Sequence, residues 1–336
     1  MPKYILKRVL RSFLTMAIVI TVVFSLLRLM PIEGYFENYD KLSQTQIDLG
    51  LQKLGLTEPL PKQLWSFGKQ LLSGDLGTSI RYRKGVSINT IVAEKAPISL
   101  QLGLTSLAIA LALGLPLGIL MSRSTRTRWK IGDKLGTVFI VIIQAVPAAA
   151  YHILLQVAGS QGVINFRWLS KLGINCALND WALNLPMLFK VGDYRTYILP
   201  ILSLAIGNIA YYAMWLRRYM VDEANKDYIK LARAKGVPGG QISRKHVFRN
   251  AMVPLIQYIP NSILFTLMGS LYVESLYSIP GMGGLLVAVI KRQDNTMVLA
   301  LVVIYSVISI LGLLFGDLLM ALLDPRITLA RKEESR

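Results

Sequence analysis

The sequence predicts an all-α polytopic membrane protein with six transmembrane helices, and three observations predict it. Of its 336 residues, 53% are hydrophobic and only 17% are charged, a balance unlike that of soluble domains. Six apolar runs reach the roughly 20 residues that a helix needs to cross a hydrocarbon core about 30 Å thick. They cover about 12–31, 98–121, 135–158, 197–216, 252–275 and 297–322. The formal net charge is +18, and it is placed unevenly: with the N-terminus assigned to the cytoplasm, 22 of the 37 Lys and Arg residues fall in the short stretches 1–11, 122–134, 217–250 and 324–336, and 14 in the longer connections opposite. This is the positive-inside pattern. The basicity therefore reports orientation in a lipid bilayer and argues against nucleic-acid binding.

Lys3, Lys7, Arg8 and Arg11 precede the first run as they would in a signal peptide. The run is too long for one, and MPIEGYF after it offers no small-residue cleavage site, so residues 1–31 are expected to be an uncleaved span. Residues 32–97 are expected to be extracytoplasmic. Within them Leu64, Phe67, Leu71 and Leu72 recur at helical spacing, which predicts a helix along the membrane surface or over the mouth of the bundle. Five further spans make a core over 98–324, and 325–336 is a short basic cytoplasmic tail.

In the second span Ser106, Ala110, Gly114 and Gly118 form a ridge of small residues that lets a neighbouring helix approach closely. The third carries Gln144, Pro147 and His152. The connection 159–196 holds Trp168, Trp181 and Phe189 as interface anchors. It also holds the sole cysteine, Cys176, which leaves no disulfide within the chain. After the fifth span, YSIPGMGGLLVAVIKRQDN is too short of apolar residues to cross; Pro280, Gly281, Gly283 and Gly284 break it into a re-entrant or surface hairpin on the outer side.

The chain lacks a GxxxxGK[ST] phosphate loop, HExxH, GxSxG and any cysteine pair, and it has two histidines. Catalysis by this chain, and a cofactor or metal bound to it, are therefore not expected. The carboxylates inside the spans are Glu274 and Asp317, each either satisfied by a neighbouring helix or, for Glu274, part of an outer gate. Gln144, Asn208, Tyr211, Gln257 and Asn261 are candidates for a polar path, or else for hydrogen bonds between helices.

The loop between the fourth and fifth spans, 222–250, differs from the rest. DEANKDYIKLARAK, 222–235, predicts a helix with Asp222 and Glu223 in its first turn. Lys226, Lys230 and Arg233 lie on one face, and Tyr228, Leu231 and Ala232 on another. Gly236 ends the helix and Pro238 prevents its continuation. QISRKHVFRNAMVP then starts a second helix. A solvated basic loop would account for the charge; a small, half-apolar face with an abrupt stop suits a docking element for a soluble partner.

Here the sequence resembles a known family. YIKLARAKG followed by HVFRNAMVP is similar to the cytoplasmic coupling loop of ABC-transporter permeases of the oligopeptide/dipeptide/nickel importer family. KRVLRSF, LGLTEPL, SGDLGTS, LGLPLGI, ILPILSLA, ESLYSIPGMGGLL and DPRI extend the resemblance over nearly the whole chain, most closely to the first of the two permeases in such systems. The resemblance implies a type I ABC importer permease fold in the cytoplasmic membrane with both termini cytoplasmic. It implies a second permease, two ATPase subunits that bind ATP and Mg, and an extracytoplasmic binding protein delivering peptides or a similar small solute. Tyr228, Ala232, Arg233, Ala234, Lys235 and Gly236 would form the docking surface, with Arg249, Asn250 and Pro254 positioning the second helix. The broader importer pattern places EAA three residues before a glycine. Here Lys230, Leu231 and Ala232 occupy those positions, so the resemblance assigns no role to a glutamate. The residues alone also allow a stand-alone secondary transporter or channel, or a membrane scaffold that recruits partners through its basic loop.

Overall fold

The computed structural model describes residues 2–29, 31–36, 39–162 and 184–323. Trp168, Cys176, Trp181, DPRI and the tail lie outside them. The described chain is helical, with one isolated β-bridge between Thr78 and Ser87. The helices are α1 (Pro2–Arg28), α2 (Gln44–Lys53), α3 (Leu60–Leu72), α4 (Ile88–Ser124), α5 (Ile131–Ala145), α6 (Ala148–Ser160), α7 (Ile198–Ala224), α8 (Asp227–Ala234), α9 (Arg249–Met268), α10 (Leu271–Leu276), α11 (Met282–Lys291) and α12 (Asn295–Leu323).

Four long apolar helices, α1, α4, α7 and α12, each cover a predicted span. The third and fifth spans differ from the expected straight helices. Pro147 cannot donate to the turn before it, and the 135–158 run breaks there into α5 and α6, bent by 104°. The pair still covers the depth of the bundle: Asp133 is bound by Arg217 near one end of α7, and Gly159 packs on Leu199 at the other. Those two residues of α7 are about 27 Å apart at 1.5 Å per residue, so six crossings result. The fifth span ends early, because Gly269 leaves the helix at φ +71 and α10 starts after it.

The small-residue ridge of α4 lies against α7. A Cβ on Gly114 would stand 2.9 Å from the Ile209 carbonyl oxygen, and one on Gly118 would stand 2.8 Å from that of Ala213. The two backbones touch at both points, which a larger side chain would prevent. Polar pairs tie α7 to its neighbours, with Tyr212 and Ser262 hydroxyls 3.0 Å apart and those of Ser203 and Tyr277 2.9 Å apart.

On one side of the bundle, which we term the segment side, residues 31–36 and 39–87 fold over the helix ends. Leu64, Phe67 and Leu71 pack on Phe24, Leu299 and Val303, as their spacing predicts, whereas Leu72 is 91% exposed. A fully buried carboxylate fixes this layer. Asp294 Oδ2 accepts from the Ser79 hydroxyl at 2.7 Å and from the Ile80, Arg81 and Tyr82 amides at 2.9–3.0 Å, while Oδ1 caps α12 through Met297 N at 3.1 Å. The Arg81 guanidinium continues the clamp to the Phe36 carbonyl and to Gln293.

Candidate functional site

The opposite, loop side carries the segment singled out by the sequence, and its local structure corrects one expectation. The helix over 222–235 is divided: Asp222 and Glu223 close the last turn of α7, the chain breaks at Asn225 and Lys226, and α8 begins at Asp227. Asp227 therefore supplies the first-turn acid; the Lys230 ammonium, 2.8 Å away, holds its carboxyl below the usual range. Gly236 ends α8 at φ +76, a conformation that side chains with a Cβ rarely adopt.

Glu223 sets the angle of the break. Its carboxylate accepts from Tyr228 Oη at 2.5 Å and from Asn250 Nδ2 at 3.3 Å, and pairs with Lys226 Nζ at 2.5 Å. Asn250 also donates to the Tyr228 hydroxyl at 2.7 Å. One side chain at the end of α7 thus joins both helices of the loop. Tyr228 and Asn250 were candidates from the sequence. Glu223 was not, since its partner Asn250 is 27 residues away and no local pattern announces it.

Ile229 fastens α8 to the spans. It is fully buried in one cluster with Leu107 and Ala110 of α4, Tyr212, Leu216 and Met220 of α7, and Val247, Ala251 and Leu255 beyond the loop. Full burial of such a side chain stabilises by roughly 1.5–3 kcal/mol. The second helix reaches the same cluster through a π-helical turn over Ile242–Phe248, whose wider winding keeps Ile242 and Val247 on one face despite their spacing of five. Ala232 is partly buried against this cluster, so it does not stand fully on the free face. Tyr228, Leu231, Arg233, Ala234, Lys235 and Gly236 are exposed, Leu231 by 57%. Arg249 is exposed at the start of α9 and Pro254 is half-buried within it.

A second constellation lies toward the segment side. Glu274 is fully buried, and its carboxylate accepts from Ser99 Oγ at 2.7 Å and from the amides of Gly283, Gly284 and Ser270 at 2.8, 3.1 and 3.2 Å. Ser99 Oγ in turn accepts from Met282 N at 2.8 Å. Gly283 and Gly284 do not break the segment as expected but lie in the first turn of α11, with Gly281 before it; Gly281 and Gly283 are required by this closure. A Cβ on Gly281 would stand 2.4 Å from Ser99 Oγ, and one on Gly283 would stand 2.6 Å from Leu271 N. Half-buried Pro280 leads into the turn. Glu274 thereby locks α10, α11 and α4 together at the expected hairpin.

Beside it is a cavity of about 220 Å³ bounded by Ser106 of α4, Asn208 of α7, Ser262 and Thr266 of α9, and Glu274. Of the five path candidates, Asn208 lines it. Gln257 and Asn261 do not, because both face α12: Gln257 donates to Asp317 at 3.1 Å, and Asn261 packs on Gly312. Arg8 of α1 donates to the same Asp317 at 2.7 Å. Gln144 is exposed on α5, with Met214 Sδ at 3.5 Å. Tyr211 packs edge-on against Tyr212 and Trp215. Both carboxylates within the spans are therefore engaged by protein donors.

Residues 114–329 match the family model described as binding-protein-dependent transport system inner membrane component. The chain belongs to this family. It is a multi-pass transport permease, and the matched region includes the loop, the hairpin and four of the spans. Among relatives of this permease, the dipeptide transport system permease protein DppB of Lactococcus lactis is 31% identical over 98% of this chain and 100% of its own length. The oligopeptide transport system permease protein OppB of Haemophilus influenzae is 30% identical over 97% of this chain and 99% of its own. The oligopeptide transport system permease protein AmiC of Streptococcus pneumoniae is 38% identical over 68% of this chain, and that match spans 42% of AmiC.

Proposed function

We propose that the chain is one of two permease subunits of an ATP-driven importer for peptides or a similar small solute, coupled through 222–250 to two separate ATPase subunits. The observation that carries the coupling is the two-sided build of α8: Ile229 is sealed into the core of the spans, while Tyr228, Leu231, Ala234 and Lys235 face outward on a rigid, sharply ended helix. A partner that seats this helix and then moves displaces α4, α7 and α9 with it, because one cluster joins them. Differential affinity of the ATPases for the loop in two conformations then shifts the permease between inward and outward opening. ATP and Mg are held by the ATPases, and this chain carries no cofactor.

In this reading the loop side is cytoplasmic, as are both termini, in the cytoplasmic membrane. The second permease completes the path, to which Asn208 and the cavity beside Glu274 contribute. A binding protein delivers the solute to the segment side, where Asp294 and Arg81 join the 31–97 layer to the 278–292 hairpin. The peptide permeases among the relatives support the substrate class.

The docking assignment is tested at exposed positions that disturb no core contact. Leu231→Asp and Ala234→Arg are expected to leave membrane insertion and melting unchanged and to reduce solute-stimulated ATP hydrolysis of the reconstituted complex by tenfold or more, a loss of about 1.4 kcal/mol at the interface. Undiminished stimulation in both variants would remove the docking role from α8.

A further inference from the structure

A basic pocket of about 340 Å³ opens on the loop side between the end of α4, the end of α7 and the second helix of the loop. Buried Ser122, Met220 and Val247 line it within, and exposed Arg123 and Arg126 stand at its mouth with half-buried Ser243. Gly239 and Gly240 form one wall, and there is open space where a Cβ on either would stand. Arg233 of α8 adds a third cation: burial, together with its like charge, pushes the Arg126 guanidinium below its ordinary range.

Among the described residues none of these three arginines has a carboxylate partner. Of the described acids toward this side, Asp133 is committed to Arg217, Glu223 to Lys226, Asp227 to Lys230 and Asp317 to Arg8, and Asp222 is exposed and pairs with none of the three. Converging guanidinium groups without counter-charge favour an anion, and phosphate suits their planar donors. The depth indicates which one. Trp129 follows Arg126 by three residues, is 69% exposed and lies under the Arg128 guanidinium at 5.6 Å; the exposed apolar face of α5 starts at Ile131 and Leu135 immediately after it. A tryptophan at the foot of an apolar helix marks the headgroup level of a bilayer, and basic pockets at that level take anionic lipids.

We propose that this pocket binds the phosphate of an anionic phospholipid headgroup from the leaflet on the loop side. Arg123 and Arg126 hold the phosphate, Ser122 and Ser243 supply hydroxyl donors, and the glycine wall admits the headgroup. Because Arg233 belongs to α8, a bound lipid relieves the repulsion between Arg126 and the coupling loop.

The test uses the purified full chain without partners, so that its failure is distinct from a failure of the coupling assignment. Native mass spectrometry from mixed micelles is expected to show phosphatidylglycerol retained over phosphatidylcholine by roughly 30-fold, at about fivefold for each of Arg123 and Arg126. Arg123→Gln with Arg126→Gln should abolish the preference, and Arg128→Gln should keep it. Gly240→Phe, which fills the pocket without changing charge, should also abolish it. Equal retention of both lipids by the native chain, or an unchanged preference in Gly240→Phe, would overturn the proposal, the latter in favour of a diffuse basic surface. Displacement by excess inorganic phosphate would overturn it in favour of a free-anion site.

Discussion

Replacing Glu274 by Ala is expected to destabilise the folded chain by about 3–5 kcal/mol, because it strands the Ser99 hydroxyl and three backbone amides that now converge on one carboxylate. Melting in detergent should fall, and limited proteolysis should open first within 269–292, since this carboxylate ties that hairpin to α4 and to itself. Glu274→Gln keeps an acceptor oxygen and should fall between the two. Gly283→Ala attacks the same closure from the backbone side. The added carbon would lie 2.6 Å from Leu271 N and 2.7 Å from the Ser270 carbonyl carbon, atoms that cannot turn aside as a flexible side chain can. Overpacking of this kind costs about 1–3 kcal/mol or more. Native melting in both Glu274→Ala and Gly283→Ala would show that the hairpin is held by other contacts.

Glu223→Ala is expected to leave the spans folded and to loosen the loop. It removes charge-assisted hydrogen bonds worth about 1.5–3 kcal/mol that join α7, Tyr228 and Asn250. Ile229 still holds α8 to the core, so the helix should persist while its angle to α7 becomes variable. Amide hydrogen exchange over 226–236 should accelerate by about 10- to 100-fold, while exchange in α4 and α12 stays unchanged. Solute-stimulated ATP hydrolysis should drop with it, because a docked helix with a loose mounting transmits little motion. Unchanged exchange would mean that Glu223 does not set the angle.

The spans were legible because apolar length and one-sided basic charge are properties of single segments. The abrupt end of α8 was legible for the same reason: glycine and proline act on their own backbone at Gly236 and Pro238. What escaped depends on partners far along the chain. Pro147 was visible, yet a bend as large as 104° between α5 and α6 comes from how both pack on α7. Glu223 looked like an ordinary first-turn acid until the break at Asn225 moved it into α7 and brought Asn250 to it. Asp294 sits at the foot of a span, and its role appears only when Ser79 to Tyr82, more than 200 residues earlier, wrap its carboxylate. Gln257 and Asn261 stood open in the sequence between a polar path and hydrogen bonds between helices. Polar residues in a span invite assignment to a path, and here both are directed at α12, a choice that helical periodicity cannot make without knowing which neighbour lies on each face.

The central claim, that this permease is driven from outside its own chain, is tested most directly by what it is bound to. The full chain, purified in mild detergent from its native membrane through an affinity tag, is predicted to bring with it a second permease and a nucleotide-binding ATPase, and the Leu231→Asp variant is predicted to keep the permease and lose the ATPase. Recovery of the native chain without either partner, together with solute uptake by that chain alone in response to an ion gradient, would contradict the account.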